Sequence, residues 1–362
     1  MGRDEERNTD EGVNKAMTQP KTYAQAGVDV EKADRFVQRL KASAARPEHN
    51  KLWKVSSGYA ALYPTSADTA VACTTDGVGT KLLVAMSLGK FDTIGIDLVA
   101  MVANDLICVG ALPGAFLDYF ATGKVEDMQA DQIMKGIIEG CDRAGLVLAG
   151  GETAEMPDLY QGEHFDLAGF AIGTVSRDGL IDGQKVAAGD AIVGVASSGI
   201  HSNGLSLARK VISPDSKHYH LLLEPTLIYC KPVVEIFSQL PGSIKGMAHI
   251  TGGGWTNIGR INKEVGYLID EPLPVPEIFE RIIGHVESVN EMYQTFNMGM
   301  GLTIVCPPPD AVKITDIFKS MGFDAKTVGT VVDTFKGIKV SNLNLHEPVP
   351  SGPINIAFSK KT

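Results

Sequence analysis

The sequence has little cysteine, few aromatic residues, no long apolar run and a deficit of basic charge. The five cysteines (Cys73, Cys108, Cys141, Cys230 and Cys306) are scattered, and no Cys-x-x-Cys spacing occurs. This argues against a structural zinc site and a disulfide framework, and fits a reducing cytoplasm. No stretch approaches the roughly 20 apolar residues a membrane span needs. Lys and Arg number 33 against 43 Asp and Glu, a formal net charge of −10 with no dense basic cluster. Nucleic-acid binding is therefore disfavoured. Several catalytic signatures are also missing: G-x-x-x-x-G-K-[ST], a helix-opening G-x-G-x-x-G, H-E-x-x-H and G-x-S-x-G. The polar, acidic residues 1–21 lack the apolar core of a signal peptide and the Arg-rich pattern of a transit peptide. They are expected to be a disordered tail or an expression remnant.

What is present is enough for two ordinary domains: 362 residues, 44% of them apolar. Apolar β-branched runs alternate with amphipathic helical stretches, so the expected class is α/β. The segment RDGLIDGQKVAAGD has the composition of a linker. It divides an N-terminal domain, residues 22–180, from a C-terminal domain, residues 186–340, with an irregular tail over 341–362.

The chemistry is placed at residues 71–82, VACTTDGVGTKL. Val71 to Thr75 reads as a buried strand and Lys81 to Leu88 as a helix. Gly77, Val78, Gly79 and Thr80 lie between them, so backbone N–H groups and a helix dipole face one point, as an anion site requires. Asp76 beside such a cradle is repulsive to phosphate unless a divalent cation lies between, with Mg²⁺ the expected ion. The alternative is an Asp-Gly turn followed by Thr80 as a helix cap.

Asp97 is expected as the N-cap of the next helix, with Asn104 and Asp105 two turns on along the same face. Polar side chains on a buried helix need partners. They are either local hydrogen-bonding groups or, for Asp97, a second metal-binding carboxylate facing Asp76. Leu146 to Ala149 reads as a strand ending at a double glycine, with Glu152 and Glu155 beyond it as metal, substrate or merely capping groups. In the second half, Ser197–Gly204 (SSGIHSNG) repeats the strand–loop–helix plan. Ser202 and Asn203 are its donors, with His201 adjacent. A helix is expected over Pro225–Gln239, and another from Trp255, after the triple glycine 252–254.

Seven segments in order resemble the phosphoribosylformylglycinamidine cyclo-ligase family: YAQAGVDV at 23, TDGVGTKL at 75, GIDLVAMVANDL at 95, GGETAEMP at 150, SSGIHSNG at 197, HITGGG at 249 and FNMGMG at 296. The resemblance implies an N-terminal domain that forms a β-barrel across a homodimer interface, and a C-terminal α/β domain with a mixed sheet. It implies that ATP and formylglycinamidine ribonucleotide give aminoimidazole ribonucleotide, ADP and phosphate through an iminophosphate, a step of purine biosynthesis. It also implies Mg²⁺ on Asp76 and Asp97, and Lys81 with the Gly77–Thr80 backbone on the transferring phosphoryl group. Lys41 would reach the ATP phosphates, and Asn104 and Asp105 would orient the metal shell or nucleotide. His201, Ser202, Asn203, Gly252 and Gly253 would lie on the substrate side. One departure stands out: Val55-Ser56-Ser57-Gly58-Tyr59-Ala60 occupies the place of a glycine-rich stretch in the family. The rivals within the superfamily are formylglycinamidine ribonucleotide synthetase, selenophosphate synthetase, thiamine monophosphate kinase and a hydrogenase-maturation protein. From another class, the rival is a catalytically silent nucleotide-binding scaffold.

Overall fold

The computed structural model describes residues 20–22, 24–27, 30–43, 51–55, 57–341 and 354–356. Residues 1–19 of the expected N-terminal tail, most of the tail over 341–362, and Ser56 of the atypical loop fall outside the described residues.

The first half opens with helix α1 (Val30–Ser43), then strands β1 (Ala61–Pro64) and β2 (Thr69–Gly77). Helices α2 (Lys81–Leu88) and α3 (Ile94–Cys108), strand β3 (Leu112–Thr122), helix α4 (Asp127–Ala144) and strands β4 (Val147–Glu155) and β5 (Phe165–Ser176) follow. They build a five-stranded sheet in the order β1-β2-β5-β3-β4. Only β3 and β4 run parallel, as expected for strands joined through a crossover helix. Helix α3 is apolar on all sides and buried almost throughout, because it is sandwiched between the sheet and α4. Gly95 makes this possible: a Cβ there would sit 2.4 Å from Ile133 O and Ile137 N of α4.

The opposite face of the sheet is open. Residues of β5 alternate between buried and exposed, and β4 is exposed nearly throughout. Tyr63, Leu117, Tyr119 and Phe170 are large apolar side chains exposed on this sheet. Leu117 and Phe170 are directly cross-strand.

The second half contains β6 (Ala191–Ala196), α5 (Leu205–Val211), α6 (Cys230–Gln239), β7 (Gly246–His249), β8 (Gly266–Ile269), α7 (Glu277–Ile283) and α8 (Val289–Thr295). It ends with β9 (Met300–Cys306), α9 (Pro308–Ser320), β10 (Ala325–Val332), β11 (Gly337–Val340) and β12 (Ile354–Ile356). Its seven-stranded sheet has the order β12-β11-β8-β10-β6-β9-β7 and is mixed, with β11 parallel to β8. The architecture is thus α+β with two sheets. All five cysteines are free thiols. Among the described residues, no helix is long and apolar enough to cross a membrane.

Four local expectations are corrected. Strand β4 does not stop at the double glycine but runs to Glu155, because residues 150–155 supply the ladder that β3 needs on that edge. Glu152 therefore lies on an exposed strand, and Glu155 accepts a hydrogen bond from Val125 N at 2.9 Å. Helix α6 begins at Cys230 rather than Pro225, because the backbone of residues 226–229 is bonded to side chains of α3. The turn after the triple glycine is a 3₁₀ helix, Gly254–Arg260. The C-terminal region is not wholly irregular, since β11 and β12 extend the second sheet.

Candidate active site at the seam between the sheets

Asp76 ends β2, and the chain turns at Gly77 to Thr80 into α2. Gly77 N is held by Asp76 Oδ1 at 2.8 Å, and Val78 N by Leu167 O at 3.3 Å. Gly79 adopts φ +70°, which a side chain would resist. Thr80 occupies the N-cap position but makes no side-chain cap bond. Its hydroxyl instead meets Ser206 Oγ of α5 at 3.1 Å, so the loop contacts the second half. Leu82 N and Leu83 N turn back to Gly79 O and Thr80 O at 3.1 and 3.2 Å, which leaves the Gly79, Thr80 and Lys81 amides at the helix end.

Asp97 departs from expectation in its place on the helix. It is not an N-cap: Thr93 holds that position, and Asp97 lies in the first turn, fully buried. Lys81, also fully buried, contacts both its oxygens, Oδ1 at 2.9 Å and Oδ2 at 2.9 Å. Oδ1 also accepts from Thr226 N at 2.7 Å, Thr226 Oγ1 at 2.6 Å and Ser202 Oγ at 3.0 Å. The third acceptor of the Lys81 ammonium is Glu224 O at 2.5 Å. Burial lowers the Lys81 pKa, while the Asp97 charge and hydrogen bond oppose that. These contacts fasten α2 and α3 to residues 202–226 of the second half. All of the carboxylate's hydrogen bonds fall on Oδ1, and Oδ2 meets only the Lys81 ammonium. Lys81, Asp97 and Ser202, predicted for phosphate, metal and substrate, are thereby engaged with one another.

The carboxylate grouped with Asp76 is Asp105. Asp76 is open to solvent at the mouth of the seam, yet protein crowds it and raises its pKa. The nearby charge of Asp105 adds to that rise. The Gly77 amide, His249 and Arg260 oppose it. Asp105 Oδ1 lies 3.0 Å from His249 Nδ1, while Asn104 Nδ2 lies 3.3 Å from His249 Nε2. An amide donor on Nε2 assigns the ring proton to Nδ1, where it is donated to Asp105. Asn104 also donates to Leu227 O at 2.9 Å and accepts from Tyr229 N at 2.9 Å. It is a seam residue as much as a site residue. Among the described residues, no cluster of three His, Cys, Asp or Glu side chains is arranged to hold a metal. A cation here has two carboxylates at most from the protein.

His201 is buried, not loop-exposed, with φ +60°. Its Nε2 accepts from Ser198 N at 3.3 Å and lies 3.5 Å from Leu227 N, leaving Nδ1 without a partner. Burial, reinforced by His249 and Lys81, holds its pKa well below the usual value, so the ring is neutral. Asn203 Nδ2 is likewise buried and unpartnered, and its Oδ1 lies 3.2 Å from the Cβ position of Gly252. Loop 197–204 and the Gly252–Gly253 turn therefore meet, with an unused donor between them. Lys41 lies on α1, but its side chain is outside the described residues. The sequence assigned no role to His249, Arg260 or Tyr59. The available signal was a histidine at the end of a buried strand, immediately before Ile-Thr-Gly-Gly-Gly.

Comparison with known proteins agrees with this arrangement. Residues 57–175 match the model of the AIR synthase related protein N-terminal domain, and residues 187–340 match that of its C-terminal domain. The chain is 44% identical over 332 residues to a phosphoribosylformylglycinamidine cyclo-ligase of Carboxydothermus hydrogenoformans, covering 86% of this chain and 96% of the relative. It is 40% identical over 337 residues to one of Pyrococcus horikoshii, covering 90% and 99%. Among solved structures, T. maritima PurL complexed with ATP shares the fold at TM-score 0.57 and 16% identity, over 86% of this chain and 48% of that one. At such levels of identity and mutual coverage, with both domain models matched in order around one seam, the chain belongs to the phosphoribosylformylglycinamidine cyclo-ligase family.

Proposed function

We propose that the protein catalyses the ATP-dependent ring closure of formylglycinamidine ribonucleotide to aminoimidazole ribonucleotide, with release of ADP and phosphate, in purine biosynthesis. The observation that carries this is one juxtaposition. The Gly77–Thr80 loop at the open end of α2, the Asp76 and Asp105 carboxylates, and the Asn203–Gly252 contact all lie along the seam between the two halves. ATP as co-substrate also agrees with the ATP-complexed PurL neighbour.

The formyl amide oxygen is a poor leaving group. It takes the γ-phosphoryl group of ATP as ADP departs. The amidine nitrogen of the same substrate then attacks that carbon and loses a proton. The C–O bond breaks, and phosphate leaves with the former formyl oxygen. Reactions of this type depend on positioning and charge neutralisation. With Gly77 N and Val78 N already bonded, the Gly79, Thr80 and Lys81 amides receive phosphoryl oxygens, as helix N-termini do. Asp76 and Asp105 are the residues that would hold Mg²⁺. Asp76, whose proton affinity is raised first by burial and further by the Asp105 charge, would with Asp105 offer a divalent cation two carboxylates. When bound, Mg²⁺ supplies neutralisation of the polyphosphate charge. His249, donating to Asp105, fixes that carboxylate's orientation. Asn203 and the neutral His201 offer unused nitrogens on the substrate side, with Gly252 and Gly253 allowing close approach. Lys41 as an ATP ligand rests on family likeness alone.

The open sheet face with Tyr63, Leu117, Tyr119 and Phe170 is assigned to a homodimer in which two half-barrels close. Free thiols and the acidic net charge are consistent with a cytoplasmic enzyme.

The test is ADP release dependent on formylglycinamidine ribonucleotide, with thiamine monophosphate as the control. Turnover of the control alone refutes the reading. Asp105→Asn should lower Mg²⁺-dependent turnover at least ~100-fold, as Asp76→Asn does, since each removes half of the protein's charge on the metal.

A further inference from the structure

Arg260 is a cation of the seam that no carboxylate neutralises directly. It ends the 3₁₀ turn Gly254–Arg260 that follows the triple glycine, and it is partly exposed. None of the ion pairs among the described residues involves it. What holds it is Tyr59 of the first half. The guanidinium carbon lies over the Tyr59 ring, 5.0 Å from its centroid. Tyr59 is itself buried, and its hydroxyl donates to His249 O at 3.1 Å. One side chain from the atypical Val55–Ala60 stretch therefore pins both ends of the HITGGG…R segment, His249 at its start and Arg260 at its end. Asp76 and Asp105 both lie within electrostatic reach of this group. Arg260 opposes the rise in the Asp76 pKa, and Tyr59 feels both Asp105 and Arg260.

The guanidinium also hydrogen-bonds the Tyr59 side chain, and the rest of its five-donor fork matches phosphate oxygens. It is held before binding, so little side-chain entropy is lost when an anion arrives. We infer that Arg260 binds a phosphate group of one of the two substrates across from the Asp76–Asp105 pair, and that Tyr59 is the positioning residue that aims it. This rests on the functional reading above for the identity of the ligands. The phosphate belongs either to the ATP polyphosphate or to the ribose phosphate of the ribotide.

Equilibrium titration of the full-length protein, with ATP–Mg²⁺ and with formylglycinamidine ribonucleotide in separate experiments, distinguishes the two sources. A charge-assisted hydrogen bond to phosphate is worth ~1.5–3 kcal/mol, so Arg260→Gln should weaken one of the ligands about tenfold or more and leave the other within about twofold. Arg260→Lys should recover part of the loss. Tyr59→Leu, which removes the ring, should weaken the same ligand several-fold and raise its KM more than it lowers kcat. Tyr59→Phe keeps the ring but loses the hydroxyl, and should bind it between wild type and Tyr59→Leu. If Arg260→Gln binds both ligands as wild type while losing thermal stability, Arg260 only braces the seam and the proposal falls. If Tyr59→Leu affects a different ligand from Arg260→Gln, the positioning role falls. Should the wild type fail to turn over the ribotide, the functional reading fails separately, and the Arg260 proposal is then decided on ATP alone.

Discussion

Replacing Lys81 by methionine should loosen the protein before it touches the chemistry. The Lys81 ammonium is fully buried, donates to Asp97 Oδ1 and Glu224 O, and lies 2.9 Å from Asp97 Oδ2. Methionine fills a similar volume but leaves the Asp97 carboxylate buried without its cation. Thr226 and Ser202 still donate to it, yet neutral donors do not offset a buried charge. Breaking one side of such a pair costs ~3–5 kcal/mol, a large fraction of the ~5–15 kcal/mol that holds a domain together. Asp97→Asn should cost a similar amount, because it strands the ammonium instead. Combining the two should cost less than the sum of the single changes, by ~1–3 kcal/mol, since the double variant has no stranded charge. Urea denaturation followed by intrinsic fluorescence gives these values, and Mg²⁺-dependent turnover is measured on the same samples. A Lys81→Met protein that unfolds at the wild-type urea midpoint but has lost turnover would refute the reasoning. It would mean that Lys81 leaves Asp97 to serve a phosphoryl group, as the sequence alone predicted.

Two further outcomes follow from the geometry. His201 resists protonation in the folded protein, whereas the unfolded chain takes up a proton near 6.5. Its contribution to stability is therefore complete above that pH and is lost as the pH falls, with a slope approaching ~1.4 kcal/mol per pH unit. His201→Asn, which tolerates the left-handed backbone, should flatten the stability profile between about pH 6.5 and 5 relative to wild type; parallel profiles would contradict the assignment. On the open sheet, Phe170→Asp puts a charge at the centre of the apolar face and should convert a dimer to monomers in sedimentation velocity without lowering helix content. An unchanged dimer would place the interface elsewhere.

Much of the architecture was legible because local pattern and burial agree. The apolar run of β9, the alternation along β5 and the apolar length of α3 follow from periodicity. The glycine loop at 77–80 follows from residues with few other uses in that order. The limits of β4 and α6 were not legible, since both are set by partners distant in sequence. The strand β3 captures 150–155, and Asp97 and Asn104 hold 226–229 extended.

The sequence by itself picked out Gly77–Thr80, Ser197–Gly204 and Gly252–Gly254, since glycines and small polar residues in that order give the local backbone its freedom of approach. It also placed Asp76 at the mouth of that loop. Only the tertiary structure decided which polar residues point inward and which outward. Asp97 and Asp105 stand eight positions apart on one helix, and spacing alone cannot rank them. The packing of residues 224–226 over α3 buries Asp97 against Lys81. Asp105 lies nearer the mouth, beside His249 and within the field of Asp76. The cost of an unpaired buried charge separates the two: Asp97 is buried against an ammonium inside the protein, and Asp105 is left nearer the surface with His249 beside it.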